Sequence, residues 1–287
     1  MIIDIHTHTF PERIAERTIA HLSGLSHTIP FTDGTNEGLK KAAKRAGVDL
    51  SVLQPIATSP AQVEHINTRA AKLNEEHGAL LSFGAIHPEL PGWKEELKRL
   101  KSLGFKGIKL HPVYQGLNLD DVKTLRVIEC AASLGLIVLT HTGDDVGYPG
   151  LVRCSAEMAR HVIDALGEFP LILAHMGGWG EWERVPELLS GRGVYLDTSF
   201  STGSMHPGPD SKRTPEELSM LDKAGFMTLV DAFGADHILF GTDSPWSSIE
   251  EVMEFIRGLP VSEKEKEMIF GENAEQLLGL HNTCLLC

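Results

Sequence analysis

The stretch Asp4-Ile-His-Thr-His8 places two histidines at the end of an apolar, β-branched segment. Residues two apart in a strand project to the same face, so both imidazoles would leave the strand together. Two imidazoles need that arrangement to hold one metal ion. An HxH motif alone is weak evidence, because most histidines are ordinary polar residues. The motif therefore predicts a metal site only if further ligands end other strands of the same fold.

The rest of the chain alternates strand-like and helix-like segments. The predicted strands are residues 1–8, 49–54, 80–86, 106–111, 136–141, 171–175, 194–198 and 237–241, and extra helices follow at 248–257, 262–270 and 273–280. Eight strand–helix units indicate parallel strands closed into a (β/α)₈ TIM barrel. An open doubly wound sheet is the alternative, but no GxGxxG follows the first strand. We predict an α/β TIM barrel with extra C-terminal helices, formed by residues 1–287 as a single domain.

Composition limits the ligands that such a barrel would bind. A chain of 287 residues with 42% hydrophobic content can bury a large core. Its formal net charge of −13 disfavours nucleic acid and anionic membranes as partners. No apolar run approaches the roughly 20 residues that span a bilayer, and no charged and apolar leader precedes the first strand. We expect a cytoplasmic protein with a small-molecule substrate, and a homodimer is the commonest assembly for such proteins.

The four cysteines do not form a disulfide framework in so long a chain. Cys284 and Cys287 have CxxC spacing, but no second ligand pair accompanies them. We interpret them as part of a tail and not as a zinc knuckle.

Histidines and other polar residues recur where the predicted strands end. These residues are His6 and His8 on strand one, Lys109 and His111 on strand four, His141 on strand five, His175 on strand six and Asp243 on strand eight. Active sites of TIM barrels lie at the carboxyl ends of the strands, so all of them would face one pocket. A set of imidazoles with a carboxylate suits Zn²⁺ first, then Mn²⁺, Fe²⁺ or Co²⁺.

Six motifs along the chain resemble those of the amidohydrolase superfamily, in the amidohydrolase-2 branch of aminocarboxymuconate-semialdehyde decarboxylase-like metal-dependent hydrolases. They are Asp4-Ile-His-Thr-His8, Gly107-Ile-Lys-Leu-His-Pro112, His141-Thr-Gly143, Ala174-His-Met-Gly-Gly178, Gly241-Thr-Asp-Ser-Pro245 and Phe270-Gly-Glu-Asn-Ala274. The resemblance implies that His6, His8, His141 and Asp243 bind the metal and that His175 lies beside the metal-bound water. It does not identify a substrate, because the branch contains both hydrolases and non-oxidative decarboxylases.

The mechanism that we favour from the sequence is metal-assisted hydrolysis of a small ester, lactone or amide. A bound divalent ion lowers the pKa of its water to about 7 and polarises a carbonyl. Asp243 would take the proton of that water, and His175 would orient the water or stabilise the oxyanion. Asp4 shares the strand face of the two histidines, and we interpret it as a structural carboxylate.

The alternative activity is that of a carbon–carbon lyase, a non-oxidative decarboxylase of an unsaturated or aromatic carboxylic acid. Lys109 and Arg13 could help to bind such an acid. A metal-binding structural protein is a further hypothesis, which the full ligand set disfavours. A TatD-like deoxyribonuclease also begins with HxH on this fold, but Glu is expected where this chain has Lys109. Release of CO₂ would distinguish the lyase from the hydrolase.

The residues that contact the substrate, and the number of ions, are less constrained. Candidate substrate-binding residues are Phe10, Lys109, His111, Tyr114, Trp179 and Trp246, and Tyr148 and His206 are further candidates for the pocket wall. In binuclear members of the superfamily, a carboxylated lysine at the end of strand four bridges two ions. The resemblance favours the branch with a single ion, so we predict one Zn²⁺ and an unmodified Lys109.

Overall fold

The structure is a computed structural model that describes residues 1–280 of the chain. The strands are β1 Ile3–Thr7, β2 Leu50–Leu53, β3 Leu80–Ser82, β4 Gly84–Ala85, β5 Gly107–Leu110, β6 Ile137–Thr140, β7 Leu171–Leu173, β8 Tyr195–Asp197 and β9 Ile238–Leu239. The α-helices are α1 Glu12–Ser26, α2 Asn36–Ala46, α3 Val63–Glu75, α4 Trp93–Ser102, α5 Pro112–Gln115, α6 Val122–Ser133, α7 Ala156–Leu166, α8 Val185–Leu189, α9 Pro215–Leu218, α10 Lys223–Phe233, α11 Ile249–Arg257, α12 Glu263–Glu267 and α13 Asn273–Leu278.

The strands form a closed ring, and all ladder pairs are parallel. β1, β2 and β3 pair in that order, and β4 to β9 pair in chain order. β3 and β4 divide one predicted strand at Phe83, whose N–H donates to the Leu53 carbonyl at 3.0 Å. At the other seam, the Ile5 N–H donates to the Phe240 carbonyl at 2.9 Å. The predicted (β/α)₈ barrel with extra C-terminal helices is confirmed.

Two apolar layers explain why the strands are apolar on both faces. Ile137 and Leu139 of β6 belong to the cluster inside the barrel, whereas Val138 between them packs into the larger cluster under the helices. Parallel strands are buried on both sides in this way. Because the interior is filled with side chains, the open space of the barrel lies at its ends.

Helix capping agrees with the sequence pattern at several starts. The Gly38 N–H donates to the Thr35 hydroxyl at 2.9 Å at the start of α2, and the Met158 N–H donates to the Ser155 hydroxyl at 3.2 Å at the start of α7. Such caps satisfy backbone donors that have no partner inside the helix. Within residues 1–280, no helix is both long and apolar enough to cross a membrane. Cys284 and Cys287 lie outside the described residues.

The sequence also predicts helices over residues 12–22 and 215–232, and both have different bounds in the structure. The first continues to Ser26 instead of ending near residue 22. The helix predicted over 215–232 is divided into α9 and α10, because residues 219–221 pair with the loop after β8. In that pairing the Met220 N–H donates to the Gly203 carbonyl at 2.9 Å. Long-range pairing therefore overrides the local helical pattern, and Asp222 caps the start of α10.

Gly107 of β5 lies where no side chain fits. A Cβ at this position would lie 2.6 Å from the Ile137 carbonyl oxygen and 2.5 Å from the ring of Phe83. We expect Gly107→Ala to lower the free energy of unfolding by about 1–3 kcal/mol, because the backbone of β6 cannot move away. Gly24→Ala in α1 is the control, since nothing lies within 4 Å of its added Cβ. Urea denaturation that gives both variants the same stability would contradict this account of the packing.

Candidate metal centre and active site

The carboxyl ends of the strands open into a cavity of about 570 Å³. The predicted site residues that line it are His6, His8, Phe10, Lys109, His111, Tyr114, His141, His175, Trp179, Asp243 and Trp246. Tyr148 and His206 do not line this cavity. Tyr148 lies edge-on to Tyr114, and His206 hydrogen-bonds to Glu251 through its Nε2 at 2.8 Å. The barrel thus brings together side chains from the ends of β1, β5, β6, β7 and β9.

Three donor atoms converge at the end of β1. His6 Nε2 lies 3.2 Å from His8 Nε2, and Asp243 Oδ1 lies 3.4 Å and 3.1 Å from these two nitrogens. Ligand atoms at about 2.0–2.1 Å from a tetrahedral ion are separated by roughly 3.3 Å, so the triangle has the size that such an ion requires. We call this group the β1 triad. Two imidazoles and a carboxylate fit Zn²⁺ and related divalent ions.

Asp197 and Ser199 determine which nitrogen of His6 faces the triad. His6 Nδ1 lies 2.8 Å from Asp197 Oδ2 and 3.0 Å from the Ser199 hydroxyl. Burial alone would raise the pKa of Asp197, but His6 holds it well below its usual range. The ionised carboxylate only accepts, so Nδ1 carries the proton and Nε2 presents a lone pair. Sequence reasoning missed both residues, although Asp197 is the last residue of β8 and so lies at a strand end like the predicted site residues.

The protonation states of His6 and Asp243 near pH 7 favour metal binding at the β1 triad. Burial, together with the charge of Lys109, lowers the pKa of His6 to about 4. Burial opposes ionisation of Asp243, but its hydrogen bond to His8 and the nearby imidazoles bring its pKa to about 2. Near pH 7, His6 is therefore neutral and Asp243 is ionised. Metal ligands need these protonation states.

Lys109 reaches the β1 triad from the end of β5. Its side chain is only 1% exposed, and its Nζ lies 2.9 Å from His6 Nε2. Burial lowers the pKa of this amine to about 8, so most of it remains an ammonium at pH 7. The ammonium donates to the lone pair that a metal ion would use. An ion at the triad and the present position of Lys109 therefore exclude each other.

His141 and His175 form a hydrogen-bonded pair in the same cavity. His175 Nδ1 lies 2.9 Å from the Ser199 carbonyl oxygen, which can only accept, so this nitrogen carries a proton. Burial lowers the pKa of His175, and its neutral Nε2 accepts from His141 Nδ1 at 2.9 Å. His141 Nε2 then presents a lone pair, and this buried atom has no hydrogen-bond partner within the described part of the chain. An unpaired buried nitrogen is suited to bind an ion.

A second group of possible ligands surrounds His141. His111, His141 and Asp145 each place one donor atom within 4.8 Å of the others, and the rings of His111 and His141 stack at 4.3 Å. Burial raises the pKa of Asp145 to about 6. The sequence did not single out Asp145, because it lies in a loop beyond the strand end. The coordination of one ion by His141 together with the β1 triad stays a prediction.

Asp4 connects β1 to the segment that carries Asp243. Its carboxylate accepts from the Thr242 hydroxyl at 2.6 Å, from the Thr242 N–H at 3.0 Å and from the His6 N–H at 3.2 Å. Asp4 belongs to no group of possible metal ligands in residues 1–280. These contacts agree with the structural role that the sequence suggested.

The family follows from comparison with known proteins. The amidohydrolase model (Amidohydro_2) matches residues 3–280, and the chain belongs to this family of amidohydrolase-superfamily enzymes. A curated relative is the 2-amino-3-carboxymuconate-6-semialdehyde decarboxylase of Dictyostelium discoideum, with 26% identity over 211 residues, or 65% of this chain. The match spans 57% of the length of that relative.

Solved structures share the fold at low sequence identity. A dihydroxybenzoic acid decarboxylase from Polaromonas sp. JS666, with bound manganese and 2-nitroresorcinol, has a TM-score of 0.72 at 17% identity and covers 99% of this chain and 98% of its own. The 5-carboxyvanillate decarboxylase of Sphingomonas paucimobilis has a TM-score of 0.71 at 16% identity, with 97% and 98% covered. These likenesses support the barrel fold.

Removal of both histidines of β1 tests the metal centre. We expect His6→Ala with His8→Ala to lose the bound metal, because two of three triad donors disappear. Elemental analysis of the purified protein measures the metal per chain. His21→Ala, an exposed histidine of α1, is the control and should keep full metal. Full metal in the double variant would exclude the β1 triad as the ligand source.

Proposed function

We propose that this protein is a metal-dependent, non-oxidative decarboxylase of a small unsaturated or aromatic carboxylic acid. The observation that carries the proposal is the buried ammonium of Lys109, which lies beside the β1 triad and lines the same cavity. This cation gives a substrate carboxylate a second positive partner next to a metal ion. The decarboxylase named among the curated relatives supports the same reaction class.

His6, His8 and Asp243 would hold the ion, with His141 Nε2 as the fourth donor that the resemblance implies. A bound divalent ion supplies a positive charge that binds the carboxylate and an adjacent oxygen of the substrate and stabilises developing negative charge. Zn²⁺ is the first choice for imidazole and carboxylate donors, and Mn²⁺ is the second. We propose a single ion, because the β1 triad already has tetrahedral spacing without Lys109 as a bridge.

The remaining residues bind the acid and supply its proton. When the bond to the carboxylate breaks, its electron pair stays on the substrate carbon, CO₂ leaves and the carbon gains a proton. Asp243 is ionised and cannot donate that proton, whereas Lys109 carries a proton below its pKa, which is about 8 without a metal ion. We assign Lys109 to carboxylate binding and proton delivery. His175 would orient His141 through the hydrogen bond between the two rings. It also lines the cavity, so it would contact the substrate there.

Aromatic side chains give the cavity its shape. Phe10, Trp179, Phe200 and Trp246 line it, and the Trp179 indole N–H donates to the Phe200 carbonyl at 3.0 Å. That bond fixes the indole ring at the cavity wall. Flat, conjugated substrates fit between such walls, and apolar walls exclude water from the reacting carbon.

Hydrolysis of a small ester, lactone or amide is the second candidate. The ionised carboxylate of Asp243, which lies 3.1 Å from His8 Nε2, favours it because a carboxylate at a metal centre can accept a proton from water. Both reactions would use the same donor atoms. The products distinguish them.

Product analysis tests the proposed reaction. Metal-loaded protein is incubated with a panel of hydroxylated aromatic acids, unsaturated acids, lactones and amides. We expect release of CO₂ from an acid, with a hydrogen atom in place of the lost carboxylate. Release of a new acid from a lactone or amide without CO₂ would overturn the proposal in favour of hydrolysis.

Asp145→Asn tests the single-ion proposal against the second ligand group. We expect this variant to keep one metal per chain, whereas Asp243→Asn should lose most of it, because only Asp243 belongs to the β1 triad. Elemental analysis and intact mass are the measurements. Two ions per chain, loss of metal in Asp145→Asn, or a mass increased by one carboxyl group on Lys109 would contradict a single ion with an unmodified lysine.

Lys109→Met should keep its metal and lose at least about 100-fold in kcat/KM, because a proton donor contributes roughly 10²–10⁴. In the unsubstituted protein, kcat/KM should fall as pH rises through the pKa of Lys109, which is about 8 without metal and lower beside a cation. The neutral amine that forms has lost both its charge and its acidic proton. The pH dependence of kcat/KM on the acid found in the panel measures this. An unchanged alkaline limb in Lys109→Met would contradict the assignment.

A further inference from the structure

One face of α1 borders the cavity along most of the helix. α1 begins shortly after His8, which belongs to the β1 triad. Ile14, Leu22 and Leu25 line the cavity, and Thr18 lies between them on the same helical face. From Ile14 to Leu25 the helix rises about 16 Å, at about 1.5 Å per residue. The cavity therefore extends from the metal centre along α1, past three apolar side chains.

Apolar side chains of other elements also line the cavity. Ile56 follows β2, Ile66 lies in α3 and Val146 lies in the loop after β6. A Cβ atom added to Gly147 in that loop would lie 3.7 Å from the Cβ of Leu25, so the loop and α1 are in van der Waals range of each other. We use the name apolar wall for Ile14, Leu22, Leu25, Ile56, Ile66 and Val146.

Arg213 holds the loop after β6 against the end of α1. Its guanidinium donates to the Val146 carbonyl at 2.9 Å and also to the Ser26 carbonyl. Leu25 precedes Ser26 in the chain, so this arginine fixes two parts of the apolar wall relative to each other. The position of this part of the wall is therefore set by hydrogen bonds to the backbone.

The side chains of the apolar wall are only half-buried. Ile19 on the inner face of α1 is buried, whereas Ile14, Leu22 and Leu25 stay partly exposed because they border the cavity. Within residues 1–280, these three side chains and Ile56 neither belong to nor pack against the two apolar layers of the barrel. Removal of apolar surface from water is favourable, so the wall favours a ligand with an apolar part.

The cavity is larger than a single aromatic acid requires. An apolar cavity of roughly 150 Å³ is enough to bind a benzene ring. The cavity of this protein is about 570 Å³, with the β1 triad and Lys109 in its buried part. Arg13, His65 and Arg69 line it with exposed side chains, so they mark its opening to solvent. A ring with its carboxylate at the triad would leave the apolar wall uncovered along the later part of α1.

We propose that the apolar wall binds an apolar substituent of the substrate, so that the natural substrate is an unsaturated or aromatic acid with an alkyl or aryl group remote from the reacting carboxylate. The inference rests on the proposed function for the carboxylate, which would lie at the metal and Lys109. The substituent does not react. Its burial contributes to binding and holds the molecule in one orientation, with the carboxylate toward Lys109.

The test measures how affinity depends on chain length. Two series of acids, 2-hydroxybenzoates with an unbranched 4-alkyl chain and unbranched 2-alkenoates, are titrated into metal-loaded protein by calorimetry. In at least one series we expect the dissociation constant to fall about threefold to fourfold for each added CH₂ group, which is the gain from burying one such group. The heat-capacity change of binding should become more negative with chain length, because it follows the buried apolar area.

Variants of α1 locate this gain in affinity. Leu22→Asn and Leu25→Asn keep side chains of similar size and should each reduce the gain for each CH₂ group, and the double variant should remove most of it. Ala20→Asn places the same residue on the exposed face of α1 outside the cavity and should keep the full gain. Metal content and circular dichroism of each variant show whether the centre and the fold are intact. The single variants decide the outcome if the double variant does not fold.

No gain with chain length in either series would overturn the proposal, and so would a gain that the leucine variants keep in full. Failure of the decarboxylation proposal is separate, because the gain in affinity would remain while no member of either series released CO₂. Failure of the apolar wall alone would leave CO₂ release from the short acids, with a kcat/KM that does not depend on chain length.

Discussion

Closure of the barrel between its first and last strands positions the metal centre. The Asp243 N–H donates to the His6 carbonyl at 2.8 Å, and the His8 N–H donates to the Ser244 carbonyl at 2.6 Å. These bonds join residues more than 200 positions apart, and Asp4 strengthens the seam through Thr242. Asp243 has a left-handed φ of 61°, a conformation that non-glycine residues adopt rarely and that aims its carboxylate at β1. The β1 triad is therefore a consequence of ring closure and cannot exist in either end of the chain alone.

The buried charges around the triad balance one another. Lys109 would lose its proton readily in so buried a position, but Asp197 and Asp243 favour its charged form. The same two carboxylates can compensate the charge of a divalent ion. The site thus provides a negative environment in which Lys109 and a metal ion compete for His6 Nε2. Once an ion binds there, the ammonium must point elsewhere in the cavity, where a substrate carboxylate is its natural partner.

The sequence was sufficient for the barrel and for most of the residues that line its cavity, because both follow simple local patterns. Apolar runs predicted the strands. The polar residues that follow them predicted the cavity-lining residues His6, His8, Lys109, His141, His175 and Asp243. Asp197 was missed because one carboxylate at a strand end has no motif of its own. Asp197 matters because it accepts a hydrogen bond from Nδ1 of His6, which lies 191 residues earlier in the chain. The tautomers of His141 and His175 likewise depend on the Ser199 carbonyl, which no sequence pattern reveals.

The proposed preference for decarboxylation over hydrolysis rests on the charge of Lys109 beside the β1 triad. A neutral ester, lactone or amide would leave the ammonium of Lys109 without an anionic partner once a metal held His6 Nε2. A substrate carboxylate at the proposed metal centre would instead neutralise this ammonium. Because unpaired buried charge is costly, the buried ammonium of Lys109 favours an acid as substrate, and an acid is what the proposed loss of CO₂ requires.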